Sequence, residues 1–121
     1  MKTWLIIGAI FVGLAILFGS FGAHGLKAKV SAADLVTFEK GIRYQMYHAL
    51  GLLILGGIGF HISHDLIQIP AYLFIAGIII FSGSLYFLVL TNTRWLGAIT
   101  PIGGVCFIVG WFLLAYNLYR S

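Results

Sequence analysis

Two histidines and their polar neighbours are the residues whose types and spacing suggest chemistry in this chain. His24 lies in the glycine-rich stretch FGSFGAHGLK, and His48 follows Tyr44 by one helical turn, with Gln45 between them. Imidazole nitrogens can ligate haem iron, whereas phenol and amide groups can hold a quinone or a lipid head group. The cofactor is therefore unknown from these residues, with haem or quinone as the candidates.

A second histidine group, HISHD, places His61, His64 and Asp65 close together in a short polar segment. The spacing would suit a metal ion, but zinc sites usually have four ligands and no further ligand is evident. A solvated loop is the favoured interpretation, and no metal site is predicted. No nucleophile and base stand at a catalytic spacing either, so the sequence predicts no catalytic residues and a protein that is not an enzyme.

The elements that position these residues must lie in a membrane. The chain has 121 residues, of which 61% are hydrophobic and 8% are charged, whereas a soluble domain has about a quarter charged residues. Seven Lys and Arg against three Asp and Glu give a net charge of +4. The basic residues form no dense patch, so no nucleic-acid partner is predicted. Cys106 is the single cysteine and excludes an intrachain disulfide.

Four apolar segments cover about residues 3–23, 43–61, 71–90 and 96–118. A helix needs about 20 apolar residues to cross a bilayer, and its backbone groups must be satisfied internally. The sequence therefore predicts an all-α integral membrane four-helix bundle, formed by a single domain of residues 1–121. A cleaved signal peptide is the alternative for the first segment, but only Lys2 precedes an unusually long apolar stretch.

The connection between spans one and two has a helical pattern of its own. Ser31 and Asp34 resemble a capping box, and an amphipathic pattern follows them. This pattern predicts a short interfacial helix between spans one and two, with Gly41 as the bend. One long tilted helix fits the same residues equally well.

The basic residues predict the orientation. Five Lys and Arg residues lie in or beside loops one and three, namely Lys27, Lys29, Lys40, Arg43 and Arg94, against Lys2 and Arg120 near the termini. Because basic loops stay in the cytoplasm, we expect loops one and three inside and both termini outside the bacterial inner (cytoplasmic) membrane. The aromatic residues Trp4, Tyr72, Tyr116 and Tyr119 would mark the outer interface.

Most of the chemically unusual residues fall in one leaflet of such a bundle. The candidate ligand or polar-cluster residues are His24, Tyr44, Gln45, His48, Ser82, Ser84 and Thr100. At 100° per residue, one face of span two carries Gly41, Tyr44, Gln45, His48, Gly51, Leu52 and Leu55. This face is predicted to look into the bundle, where His48 either serves a function or hydrogen-bonds across helices as packing.

Glycines in the same leaflet predict close helix packing. Gly19, Gly22 and Gly25 recur at intervals of three, and Gly103 and Gly104 follow Pro101. Small residues at such spacings let helix backbones approach closely. Pro101 either kinks span four and frees a carbonyl, or lies in the first turn and kinks nothing.

Four segments together resemble one family over nearly the whole chain. GSFGAHGLK, FEKGIRYQMYHALGLL, FSGSLYFLVL and LGAITPIGGVCFIVGW are similar to the YwdK/YgdD family of small bacterial membrane proteins. The resemblance implies a four-span inner-membrane protein. That family is one of unknown function, so the resemblance implies no activity. It identifies only the positions of the family's motifs, among them Gly83.

Three functions follow as hypotheses. The first is a non-enzymatic role in the cell envelope, in which the protein packs with membrane lipids, with copies of itself or with a membrane-protein partner. The second is a binder of haem, quinone or another small ligand at the one-leaflet site. The third is a small transporter or channel subunit with a broken helix at Pro101.

Overall fold

The computed structural model describes residues 2–121, which form four helices joined by short connections. We label them α1 (Lys2–Leu26), α2 (Ala32–Ile58), α3 (Asp65–Thr91) and α4 (Thr100–Arg120), with a 3₁₀ turn at Arg94–Ala98 before α4. The predicted all-α fold is confirmed.

Neighbouring helices run antiparallel, as glycine contacts at their two ends show. Gly8 of α1 faces Leu52 of α2, and Gly22 of α1 faces Phe38. Along the other pair, Phe81 of α3 faces Gly103 of α4, while Phe74 faces Gly110. The chain thus runs up, down, up and down, with α2 and α3 in contact at the centre.

The separate interfacial helix predicted between spans one and two is wrong, because residues 32–58 form one continuous helix. The predicted cap is present: the Ser31 Oγ accepts the Asp34 N–H at 3.1 Å. Gly41 lies within this continuous helix and does not separate two helices, and the Tyr86 ring packs against its backbone. Phe38, Gly41 and Gln45 are all buried, so the inward face of the helix continues across the predicted bend.

Within residues 2–121, three helical segments are long and apolar enough to cross a membrane: Lys2–Leu26, Asp65–Thr91 and Arg94–Arg120. The helix α2 does not belong to this set, and its polar residues explain why. Gln45 and His48 lower its hydropathy, yet both point inward and are buried. Beside them, α2 packs against α1 from Phe38 to Leu53.

Pro101 follows the second of its two predicted alternatives, whereas Pro70 lies inside a helix that was predicted to begin after it. Pro101 lies in the first turn of α4, where no N–H donor is needed, so it kinks nothing. Pro70 lies inside α3, because this helix begins at Asp65 rather than near residue 71. The proline that disturbs a hydrogen-bond ladder is therefore Pro70.

Two π-helical turns interrupt the long helices, at Phe18–Gly22 in α1 and at Ile78–Ser82 in α3. The apolar core lies beside them and towards the termini, and its largest members include Trp4, Phe74 and Phe107. Trp4 is only 4% exposed. It therefore packs inside the bundle and does not belong to the aromatic belt in which the sequence placed it.

Candidate functional site

Gln45 joins three helices at the centre of the predicted polar cluster. Its side chain is 2% exposed. The Nε2 group donates to the carbonyl oxygen of Phe11 in α1 at 2.8 Å, and the Oε1 atom accepts the Tyr86 hydroxyl of α3 at 2.6 Å. The amide therefore serves as a cross-link between α1, α2 and α3.

Two serines of α3 tie it to its neighbours in the same leaflet. The Ser82 hydroxyl, in the π-helical turn, donates to the carbonyl oxygen of Gly41 at 2.6 Å. The Ser84 hydroxyl lies 2.6 Å from the Thr100 hydroxyl at the start of α4. Ser82, Ser84 and Thr100 thus lie in the predicted cluster and hold helices together.

His48 uses both of its ring nitrogens inside the bundle. The indole Nε1 of Trp111 lies 3.0 Å from His48 Nε2, and an indole N–H can only donate. The Nε2 atom is therefore the acceptor, and Nδ1 carries the proton that is donated to the Tyr44 carbonyl at 2.8 Å. The ring also stacks on Phe107, with centroids 3.5 Å apart.

This geometry does not fit a haem ligand. Iron needs a free imidazole lone pair, and the lone pair of His48 Nε2 is already bound to Trp111. His24 is exposed near the end of α1, whereas His48 is buried among Phe74, Phe107 and Trp111. The two histidines therefore have separate surroundings.

An open groove passes beside His48 on the outer side of the bundle. We call it the aromatic groove, and it has a volume of about 380 Å³ lined by Tyr44, His48, Phe81, Gly104, Phe107, Ile108 and Trp111. Tyr44 was predicted to face the bundle interior with Gln45 and His48, but it is 37% exposed. Its ring lies at the groove wall and packs on Phe81 with centroids 4.7 Å apart. A smaller cleft between α1 and α3, of about 250 Å³, has Gln45 at its base.

A buried asparagine that the sequence analysis did not single out compensates for Pro70. Proline has no N–H, so in α3 the carbonyl of Leu66, four residues earlier, lacks its helical donor. The Asn117 Nδ2 group of α4 donates to that oxygen at 2.8 Å. Asn117 is buried, and this bond is the polar link between α3 and α4 near the termini.

Loop three is fastened to the start of α2 by a two-pronged ion pair. The Arg94 guanidinium contacts the two carboxylate oxygens of Asp34 at 2.7 and 2.8 Å. Asp34 lies in the exposed first turn of α2, before the apolar part of the helix. The hydrogen bonds from Arg94 hold the pKa of Asp34 below its ordinary value.

The histidine group in loop two does not form a metal centre in residues 2–121, where no three metal-ligating side chains cluster. His64 instead stacks over Trp4 with centroids 6.5 Å apart, and Asp65 accepts a hydrogen bond from Ser63. The His64 ring therefore covers Trp4 at the start of α1.

The predicted packing glycines divide into close and open positions. A Cβ at Gly103 would overlap the backbone of Phe81, and one at Gly22 would lie 3.4 Å from the Phe38 ring. Gly19 and Gly104 have ordinary van der Waals neighbours. Gly25 faces open space, so its predicted packing role is wrong: α1 ends one residue later, beyond the contact with Phe38.

Known proteins are similar to this sequence over nearly its full length. The profile of the family described as "Protein of unknown function (DUF423)" matches residues 18–104. A UPF0382 membrane protein of Staphylococcus saprophyticus is 50% identical over 120 residues, which cover 99% of each chain. The UPF0382 membrane protein YwdK of Bacillus subtilis is 44% identical over 115 residues, which cover 94% of each chain. No solved structure matches the chain.

Proposed function

The chain belongs to the DUF423 family of membrane proteins of unknown function, and from that premise we propose a role for the bundle itself. We propose a non-enzymatic four-span protein of the bacterial cytoplasmic membrane. Its outer surface packs against lipids and against a partner, either a further copy or another membrane protein, and so supports envelope integrity.

The observation that carries this proposal is that the buried polar side chains are hydrogen-bonded within the bundle. Gln45, His48, Ser82 and Asn117 are buried, and each one hydrogen-bonds to a neighbouring helix or to its own backbone. Interhelical hydrogen bonds of this kind contribute about 0.6 kcal/mol each on average. The cluster therefore acts as packing glue, and what the bundle offers to its surroundings is mainly an apolar surface.

Two further features support the proposed topology. The Asp34–Arg94 ion pair joins loop three to the end of loop one, which supports the placement of both loops on the same side of the membrane. The antiparallel packing of α2 along α1 supports α2 as the fourth span, because a helix paired with a spanning helix over most of its length crosses with it.

Two observations count against a broken-helix transporter and against haem as the ligand. A broken helix at Pro101 was the reason to consider a transporter, and Pro101 lies in the first turn of α4. Haem ligation required a free nitrogen on His48, but the Nε2 atom of His48 already accepts a hydrogen bond from Trp111. The small-ligand hypothesis keeps one site, the aromatic groove.

Deletion of the gene tests the proposed role. We expect the deletion strain to change in membrane potential, detergent sensitivity or lipid composition. A plasmid copy carrying His24→Ala should restore the wild-type values, because His24 is exposed and makes none of the bonds described. Wild-type values for all three properties in the deletion strain would contradict the proposal.

A further inference from the structure

Along one outward face of α2, apolar, aromatic and basic side chains follow one another in the same order as the parts of a phospholipid, from acyl chain to phosphate. Ile54 and Leu50 are apolar, Tyr47 follows one turn nearer loop one, and Arg43 and Lys40 come next; all five are exposed. At 100° per residue they fall within about 80° of the helix surface. An acyl chain, a carbonyl region and a phosphate would meet apolar, aromatic and basic side chains in that order.

The aromatic groove opens beside this face. The rings of Tyr44 and Tyr47 meet edge to face with centroids 5.7 Å apart, so the groove wall and the outward face are continuous. Phe81 and Phe107 form the apolar floor. Lys40 stands four residues before Tyr44, one turn nearer loop one and on nearly the same side of α2.

Basic side chains outnumber unpaired acidic ones at this end of the groove. Asp34 is paired with Arg94, and Glu39 is the remaining acid beside the two cations Lys40 and Arg43. Arg94–Asp34 is the one ion pair within residues 2–121, so neither cation is neutralised by a direct contact. The helix α4 also begins at this end, four residues before Gly104 of the groove, and its N-terminus adds partial positive charge.

We propose that the aromatic groove holds one acyl chain of an anionic phospholipid whose phosphate lies at Lys40 and Arg43. This inference rests on the proposed cytoplasmic-membrane function, because it requires the loop-one side to face a leaflet rich in anionic lipid. The groove supplies the apolar contact, and the two cations supply selectivity for the negative head group.

Native mass spectrometry of the intact protein, released from a mild detergent, tests both halves of the site. The protein is mixed with equal amounts of phosphatidylglycerol and phosphatidylcholine that have identical acyl chains. We expect retention of phosphatidylglycerol. The double variant Lys40→Gln/Arg43→Gln should lower the ratio of retained phosphatidylglycerol to phosphatidylcholine about tenfold, at roughly fivefold or less per cation.

Matched variants separate this site from general attraction. Lys27→Gln/Lys29→Gln removes the same charge from loop one and should leave the ratio within about twofold of wild type, since loop charges act only over a screened distance. Gly104→Leu projects a side chain into the groove and should reduce retention of both lipids. Gly13→Leu adds the same side chain at an open position of α1 and should not.

Three results would overturn the inference. These are an unchanged lipid ratio in Lys40→Gln/Arg43→Gln, an equal fall in Lys27→Gln/Lys29→Gln, or unchanged retention in Gly104→Leu. Failure of the inference is distinguishable from failure of the proposed function. If wild-type protein retains no phosphatidylglycerol but the deletion strain still has a defective envelope, only the lipid site is wrong.

Discussion

At the scale of single residues, the bundle depends on buried polar groups that have few alternatives within a membrane. His48 is 5% exposed and makes hydrogen bonds through both nitrogens. Removal of either partner leaves a donor or an acceptor in an apolar environment, which costs more than the original bond contributed. The stability lost on replacing a residue of the cluster therefore depends on which buried donor or acceptor is left without a partner.

Replacement of His48 by alanine should destabilise the protein by about 2 kcal/mol, because it leaves the Trp111 indole N–H unpaired and a cavity beside Phe107. His24→Ala should change the stability by less than about 0.5 kcal/mol, as is usual for an exposed position. Reversible unfolding in mixed detergent micelles measures both. Equal losses for the two variants would show that His48 is not a structural link.

A double-mutant cycle tests the bond between Asn117 and Leu66. Asn117→Ala should cost about 1 kcal/mol in the wild-type background, because the Leu66 carbonyl loses its donor. In a Pro70→Ala background, residue 70 regains an N–H that reaches the same carbonyl, and the cost should fall by half or more. The measurement is the unfolding free energy of the four proteins, and an absence of coupling would contradict the account.

Helical spacing allowed the inward face of α2 to be predicted but not its partners. Gln45 and His48 were found from periodicity alone, whereas Tyr86, Trp111 and Asn117 become significant only once three helices meet. The role of Pro70 had a usable signal. A proline six residues into a helix frees a carbonyl, but the sequence analysis began the third span at residue 71 and so left Pro70 outside it.

At the scale of elements, close approach is decided by a few glycines. Gly103 lets α4 lie directly on the backbone of Phe81 in α3, and that contact brings Thr100 within reach of Ser84. Repeating glycines in the sequence suggested this kind of packing, but spacing could not distinguish Gly103 from Gly25. Only the neighbouring helix decides which glycine is needed.

A pair of alanine substitutions makes that distinction measurable. Gly103→Ala should lower stability by about 1–3 kcal/mol, because the new methyl group overlaps backbone atoms that cannot move independently. Gly25→Ala meets open space in a helical position and should raise stability by about 0.5 kcal/mol or leave it unchanged. Thermal unfolding monitored by circular dichroism ranks the two variants, and the reverse order would refute the assigned contact.

The ion pair between α2 and loop three should respond to acid. Because the folded-state pKa of Asp34 lies below its ordinary value near 3.8, the pair contributes above that pH and is lost as the pH falls through the lowered pKa. Hydrogen exchange of residues 92–98 should therefore be faster in Asp34→Asn than in wild type near neutral pH. The difference should vanish in acid, and a constant difference would contradict the prediction.

At the scale of the whole molecule, the arrangement of charges fixes the expected orientation. A fusion of alkaline phosphatase after Ser121 should be active, because both termini are expected outside. A fusion of green fluorescent protein at the same position should stay dark when it is exported in the unfolded state. The opposite pair of results would place loops one and three outside and would invert the topology.

The polar face of α2 also has a consequence for biogenesis. The helix α2 leaves the ribosome before Tyr86 and Trp111 have emerged, so Gln45 and His48 reach the translocon with α1 as their only partner. Since Gln45 can already bond to Phe11, α1 and α2 should enter the bilayer as a hairpin. His48 remains without its Trp111 partner until α4 is inserted. A nascent chain that stops before Trp111 should therefore leave the His48 imidazole without its partner in the membrane and become a substrate for membrane quality-control proteases.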